Sequence, residues 1–457
     1  MRRLCQYHLH PFSYSRRYSM ANTLSLSKFL ALNRSKYLDD LKSGNSQGWT
    51  VVTGNEAGDL DSAASSIAYS YLASNLFNRP TIALLQTART DLLLRAENIY
   101  AYDLAQLQSN QTDLLCIDDI PTQLLPRLSS FALVDHNRLS PRFPAAKEFS
   151  NPPNVMAIID HHEDEGFHRE ANPRIITVPV GSCASMVTQY FSDSWVKAES
   201  SPPAELASLL LCAIFIDTRG LKSGGKAVAI DRNAAKFLLP KSTFASLTSH
   251  FGAESTNIHE DLRAIISRLD ERKQSVTHLS SRDLLRRDYK EYTFNSPLHS
   301  SSPVTIGIAT VPLSPKRWLH KESSPEFWQS MDAWMEEQGL GALGALCTYN
   351  SLKNGQHRRQ IIWIVARERG DLVKALWEGL EASAELELER RDMGKNLLSE
   401  GVTREPGGNI VTSKGSIARI WKQRNASATR KVVAPLVKRV VEGAGLRLHC
   451  SSSSKIS

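Results

Sequence analysis

Between residues 48 and 240, five apolar runs of strand length follow one another: WTVVTG (49–54), TIALLQ (81–86), DLLCIDD (113–119), FALVDHN (131–137) and VMAIIDHH (155–162). Helix-like or loop stretches separate several of them. Strands that are apolar throughout must be covered on both faces, which predicts a parallel sheet flanked by helices. The runs also end in polar chemistry. Asp118 and Asp119 close one, Asp135 and His136 another, and Asp160, His161 and His162 a third. The buried-helix pattern LLLCAIFIDT ends at Asp217. In an open parallel sheet, ligands bind beyond the carboxyl ends of the strands. One aspartate after a strand usually serves a turn, but several at one sheet edge imply a shared site.

The segment GNEAGDLDS (54–62) adds Asp59 and Asp61, between the first strand and the helix-like SAASSIAYSYLASNLF. A single acid would cap that helix, with Asp61 as the cap and Asp59 solvated. Two like charges this close repel unless a cation lies between them. Taken with the strand-end acids and imidazoles, the donor set suits Mn²⁺, Mg²⁺ or Co²⁺ better than Ca²⁺. Closely spaced acids that can bridge suggest two metals, the arrangement that activates water and clamps a phosphoryl group. Asp118 and Asp119 match no ligand position and fit a capping role at least as well. The turn GSCAS (181–185) either presents backbone N–H groups to phosphate or only starts a helix.

With 457 residues the chain needs two domains. The expected organisation is a basic flexible leader (1–40), a catalytic α/β domain with a parallel sheet (41–240), and a smaller mixed α/β domain (245–450), with Pro240 at the linker and the active site in the cleft between the domains. YKEYTF, VTIGIATV, GALCTYN and RQIIWIVA read as strands of the second part. NIHEDLRAIISRLDERKQSV, FWQSMDAWMEEQ, DLVKALWEGLEASAELELERRD and TRKVVAPLVKRVVEGA read as its helices. The longest apolar stretch, LASLLLCAIFI (206–216), is far short of the roughly 20 residues that span a bilayer. The six cysteines (Cys5, Cys116, Cys183, Cys212, Cys347 and Cys450) are scattered, which argues for a reducing compartment. Cytoplasm is therefore expected. The leader has no acid before Asp39 and resembles a mitochondrial presequence, the other reading being a basic leader with Met20 rather than Met1 as the start. The net charge of +8 is compatible with an anionic ligand.

NEAGDLDS, LVDHN, IIDHH and FIDT, in this order and spacing, resemble the motifs of the DHH phosphoesterase superfamily. The branch they fit holds the family II inorganic pyrophosphatases and the cytosolic fungal exopolyphosphatases. RRDYKEY (286–292) and ATRKVVAPL (428–436) resemble that branch's second, phosphate-binding domain. The resemblance implies that Asp59 binds one metal and Asp61 the other, that Asp135 bridges both, and that His161 and Asp217 complete the second site. It implies catalytic roles for Asp135 and for His162, the latter near the attacking water or the leaving oxygen. Lys290, Arg430 and Lys431 would grip phosphate. Arg358 and Arg359 of HRRQ would either hold chain phosphates or be solvated. One position departs from the pyrophosphatases: Asn55 stands where they begin the first motif with a histidine ligand, and an amide oxygen favours Mg²⁺ over softer metals.

The resemblance thus implies hydrolysis of terminal phosphate from inorganic polyphosphate, with two divalent cations, Mg²⁺ or Mn²⁺. The alternatives are an inorganic pyrophosphatase, a short-nucleotide phosphodiesterase, and a polyphosphate-binding protein without catalysis. The expected partner is inorganic polyphosphate, with neither nucleic acid nor membrane, and oligomeric state is left open.

Overall fold

The computed structural model describes residues 24–128, 130–143, 153–248, 260–276, 278–295, 303–322, 324–351, 355–391 and 401–443. Residues 1–23, with Met1, Met20 and most of the expected leader, lie outside the described residues, as does the C-terminal tail.

The first domain runs α1 (Leu26–Ser43), β1 (Thr50–Thr53), α2 (Leu60–Leu76), β2 (Thr81–Leu85), α3 (Ala96–Leu104), β3 (Leu115–Cys116), β4 (Ser130–Val134), β5 (Asn154–Asp160), β6 (Arg174–Ile176), α4 (Cys183–Val196), α5 (Ala204–Thr218), α6 (Ala229–Leu238) and α7 (Glu260–Gln274). Its six strands are all parallel, in the order β3-β2-β1-β4-β5-β6. The chain moves outward from β1 to β3 and then returns to the other side of β1 at β4. That reversal makes the β1/β4 boundary the topological switch point, where the loops leaving the strands part and open a crevice.

The sheet is apolar on both faces, as the continuous runs require. Val52, Ala83, Leu85, Ala132, Val134 and Ile159 face one core, which α2 to α7 cover. Val51, Ile82, Leu84, Phe131, Leu133 and Ile158 face the other, which Tyr37 and Leu41 of α1 help to close.

Two expected boundaries move. The leader was expected to be flexible to residue 40, but α1 occupies Leu26–Ser43. Ser25 caps it through the Lys28 N–H, and Leu26, Leu30, Tyr37 and Leu41 are buried. The Tyr37 ring meets Trp49 edge-on at 5.4 Å. The break expected near Pro240 also falls later, because Leu262 and Leu269 of α7 pack into the first domain's core. Charge dominates the sequence of α7, so its apolar seam of Leu262, Ile265, Ile266 and Leu269 is easily overlooked.

The second domain holds α8 (Ser281–Arg287), β7 (Tyr289–Phe294), β8 (Val304–Val311), α9 (Pro315–Lys321), α10 (Ser324–Glu337), β9 (Ala342–Asn350), β10 (His357–Val365), α11 (Asp371–Glu381), β11 (Leu388–Arg390), β12 (Thr403–Arg404), β13 (Ile410–Val411), β14 (Ile417–Gln423) and α12 (Arg430–Gly443). Its eight-stranded sheet is mixed, with the β8–β9 pair parallel and the other pairs antiparallel. The helix expected from DLVKALWEGLEASAELELERRD stops at Glu381, and its end turns into β11 beside β14. No helix among the described residues is long and apolar enough to cross a membrane.

If α1 is part of the fold, Leu41→Ala should cost about 2–5 kcal/mol, the range for emptying a buried leucine site. Denaturant unfolding measures this; an unchanged midpoint would return α1 to the role of a passive leader.

Candidate metal centre

The loop after β1 is tightly shaped. Gly54 passes so close to Ser62 that a Cβ would sit 2.5 Å from the serine Cβ. Gly58 adopts φ +59, and any Cβ there would collide with Thr87. The loop delivers Asp59 as the N-cap of α2, where its carboxylate accepts from Ser62 N–H at 3.0 Å. The capping assignment is thus the reverse of the simple expectation. Asp59 caps, while Asp61, in the first turn, is only 2% exposed.

Asp61 crosses to the N-terminus of α4. Its oxygens accept from Ser182 Oγ at 2.7 Å, Cys183 N at 2.7 Å and Ala184 N at 2.8 Å. The amides of Gly181 and Ser182 donate to buried Asp231, which also accepts from Ser185 Oγ and Val228 N. The GSCAS turn therefore serves two carboxylates. It does present anion-seeking N–H groups, but the protein's own side chains take them.

Asp135 leaves the end of β4 with φ +60, a left-handed conformation that Asp and Asn tolerate best among residues with a side chain. One oxygen accepts from Asn55 Nδ2 and Ser62 Oγ, both at 2.6 Å. The other lies 3.1 Å from His161 Nε2 and 3.6 Å from His162 Nδ1. Asp135, His161 and His162 each turn a ligand atom into one region, within 4.8 Å of one another. His161 Nε2 is also 3.8 Å from Asp61, and its Nδ1 bonds the Val180 carbonyl at 3.1 Å. That second bond sets the ring and leaves Nε2 toward the carboxylates.

Asp160 has a role that the strand-end pattern alone did not identify. Fully buried, it accepts from His162 Nδ1 at 2.7 Å and Asn137 Nδ2 at 2.6 Å. With Nδ1 occupied, Nε2 is the His162 nitrogen left for proton transfer.

The electrostatics are those of a site built for cations. Burial raises the Asp59 carboxyl above its ordinary range, and the charges of Asp135 and Asp217 raise it further. Asp61 is raised well above its ordinary value by burial, Asp135 and Asp217, against the lowering effect of His161. Burial would raise Asp135 too, but the His161 hydrogen bond and the charge of His162 hold it low. His161 is lowered by burial, yet its bond to Asp135 and the charges of Asp135 and Asp61 lift it to about 9. Protons thus stand in for positive charge among crowded acids, which is the condition that divalent cations relieve. Asp, His and no thiolate is also the donor set of a hard or borderline metal.

Asn55 works otherwise than expected. Its amide oxygen accepts from Ala57 N at 2.9 Å, while its amide nitrogen donates to Asp135. The side chain steadies the loop and Asp135 in place of turning an oxygen outward.

Across the cleft, Lys290 on β7 lies under the charges of Asp135 and Asp59, while burial and Arg430 lower its pKa. Arg430, the first residue of α12, is 2.8 Å from Asp288 and donates to the Asp288 carbonyl at 3.0 Å. Asp288 thus offsets the positive charge of Arg430 at the helix start. Lys431 is exposed and close enough for its charge to act on His161.

Strand alternation separates Arg358 from Arg359. Arg359 shares a face with His357 and lies among Arg219 and Lys226 of the first domain. Arg358 points to the opposite face, beside Tyr349, and bonds Gln356 at 2.6 Å. The structure thus does not bring Arg358 to the site. Asp217, at the end of α5, lies 3.8 Å from Lys273 and within charge range of Lys226. Asp118 and Asp119 belong elsewhere: Asp119 pairs with Arg34 and Arg89, and Asp118 accepts from the Arg89 N–H.

The family model described as the DHH family, N-terminal domain, matches residues 49–214, and the DHHA2 domain matches 267–440. The chain is 30% identical over 403 residues to a Schizosaccharomyces pombe protein named "Putative exopolyphosphatase", covering 85% of this chain and 90% of that one. It is 28% identical to "Exopolyphosphatase PRUNE1" of Mus musculus, over 72% of this chain and 66% of that protein. A "Probable manganese-dependent inorganic pyrophosphatase" of Streptococcus agalactiae is 29% identical, over 38% of this chain and 49% of its own length. Among solved structures, a Methanococcus jannaschii protein described as a "putative family II inorganic pyrophosphatase" aligns with TM-score 0.51 and 20% identity, over 86% of this chain and 99% of that one. That likeness concerns the fold.

A cation that binds His161 must displace a proton held up to about pH 9. Mn²⁺ affinity should therefore rise with pH below that value, by up to about tenfold per pH unit. Titration calorimetry of the wild type and His161→Gln checks this. A wild-type affinity that ignores pH would remove His161 from the ligand set.

Proposed function

From the premise that the chain belongs to the DHH family and carries its DHHA2 domain, we propose that it is an exopolyphosphatase releasing terminal orthophosphate from inorganic polyphosphate. The observation that carries the reading is a crowd of buried carboxylates with two imidazoles at the switch point, faced by the cations of a second domain. The relatives named as exopolyphosphatases point to the same substrate class, and both they and the pyrophosphatase relatives are hydrolases of phosphoanhydride bonds.

In this reading Asp59, Asp61, Asp135, His161 and Asp217 would hold two divalent cations, Mg²⁺ or Mn²⁺, with Co²⁺ as a substitute. When bound, such ions neutralise phosphate charge and lower the pKa of water. The chain's own residues do the rest. His162, fixed at Nδ1 by Asp160, offers Nε2 for proton transfer at the attacking or leaving oxygen. Asp135, clamped by Asn55 and Ser62, keeps its other oxygen turned toward the imidazoles. Lys290 and Lys431 bind phosphate oxygens, with Arg430 oriented by Asp288 beside them. Arg219, Lys226, Lys273 and Arg359 continue the positive field away from the centre, a supply of charge that suits a substrate longer than pyrophosphate. Cys116, Cys183, Cys212 and Cys347 are free and buried, which fits the reducing cytoplasm.

Phosphate release from long-chain polyphosphate and from pyrophosphate, with Mg²⁺ and Mn²⁺ compared, tests the assignment. Polyphosphate should be the faster substrate; dominant pyrophosphate turnover would make the chain a pyrophosphatase instead. Asp135→Asn preserves the left-handed backbone and removes the central charge. Its kcat should fall by at least about 10³, the scale of losing a major charge-stabilising group, and retained turnover would take Asp135 out of catalysis. Arg430→Ala and Lys431→Ala should each raise KM for polyphosphate about 10- to 100-fold, while the set of metal ligands, all on the other domain, stays intact and Mn²⁺ still binds. Wild-type kinetics in both would remove α12 from substrate binding.

A further inference from the structure

Residues 94–97 form a junction between the domains. Leu94 belongs to the first domain by sequence, yet its side chain packs in the second domain's core with Leu284, Leu285 and Trp318. Its carbonyl accepts from Arg287 Nε at 2.8 Å. Glu97, 1% exposed, pairs with Arg287 Nη2 at 2.6 Å. Between them Arg95, 5% exposed, turns the other way. Its Nη2 donates to the Ala57 carbonyl at 2.6 Å, inside the loop that carries Asp59, and lies 3.9 Å from Asp288. Its Nη1 is 3.4 Å from Glu97. Asp288 then meets Arg430 at 2.8 Å. Five charged side chains from both domains thus run unbroken from the Asp59 loop to the first residue of α12.

We propose that Arg95 and Asp288 are positioning residues that join the metal-bearing loop of one domain to the phosphate-gripping arginine of the other, so that both sides of the cleft are set in register. The inference rests on the reading of Arg430 as a substrate group. Three features support it. Arg95 bonds the Ala57 carbonyl, two residues before Asp59, so its position bears on the loop that carries that carboxylate. A guanidinium can serve Ala57, Glu97 and Asp288 at once because its donors are splayed in a rigid fork, which lysine lacks. The acids also remain ionised. Burial would raise Glu97, but Arg287 and Arg95 hold it low, and Arg430 and Arg95 do the same for half-buried Asp288. A network of this kind transmits displacement, since leaving any member unpaired in a dry junction is costly.

Asp288→Asn keeps the shape and removes the charge that aims Arg430. Arg95→Lys keeps the charge and removes the fork. Asp288→Asn should raise KM for polyphosphate about tenfold, and adding Arg430→Ala should cause no further loss than Arg430→Ala alone. Arg95→Lys should lower kcat, and its combination with Asp288→Asn should fall short of the product of the two single losses in kcat/KM by at least about tenfold. Thermal melts of each variant run beside the kinetics. Losses that multiply overturn the inference while leaving Arg430 as a substrate group. Coupling seen in the melts but absent from kcat/KM marks a structural brace and overturns it equally. Wild-type kinetics in Arg430→Ala overturn the substrate role and the inference together.

Discussion

Mutual repulsion among Asp59, Asp61, Asp135 and Asp217 is the interaction around which the molecule is organised. Burial and the neighbouring acids raise the carboxyls of Asp59 and Asp61 above their ordinary range. The chain answers with local dipoles. Asp59 sits on the first turn of its own helix, and Asp61 on the N-terminus of α4. Asp135 is held by an amide, a hydroxyl and an imidazole. These partners position the three acids without fully cancelling their charge, and the remainder is what a cation meets.

The parallel sheet makes that crowding feasible. Strands that run the same way place all their carboxyl ends at one edge, and the order β1-β4-β5 brings the loops bearing Asp59, Asp135 and His161 side by side. The buried helix α5 adds Asp217 from its last turn. The second domain then supplies charge of the opposite sign on a different scaffold. Lys290 comes from a strand and Arg430 and Lys431 from a helix start, where cations are disfavoured by the dipole. Asp288 offsets that cost for Arg430, while Lys431 stays exposed to solvent in the cleft.

Much of this was legible in the linear chain. Continuous apolar runs announced a sheet covered on both faces, and acids after successive runs announced a shared edge. The errors have physical causes. α1 was missed because a basic, serine-containing segment reads as a leader when the sheet face that Tyr37 and Leu41 cover is not in view. The extent of the first domain was underestimated because charged residues outnumber the apolar seam of α7. Arg358 and Arg359 look equivalent as neighbours, yet the period of two in a strand sends them to opposite faces. The split of the helix at Glu381 depended on β14, whose pairing recruits the following residues as β11.

The sequence by itself determined the chemistry available: which acids and imidazoles end the strands, which basic segments follow, and that the sheet must be parallel, because side-chain hydrophobicity and period are local properties. Only the tertiary structure decided how those groups are used. It made Asp59 the cap and Asp61 the partner of a different helix, gave Asn55 to Asp135, and set Asp288 against Arg430. It also drew Arg95 and Glu97, which carry no motif, into the junction between the domains. These assignments join residues up to 193 positions apart, and such pairings are chosen by packing geometry and by the need to satisfy buried charge, neither of which is written in any short stretch of chain.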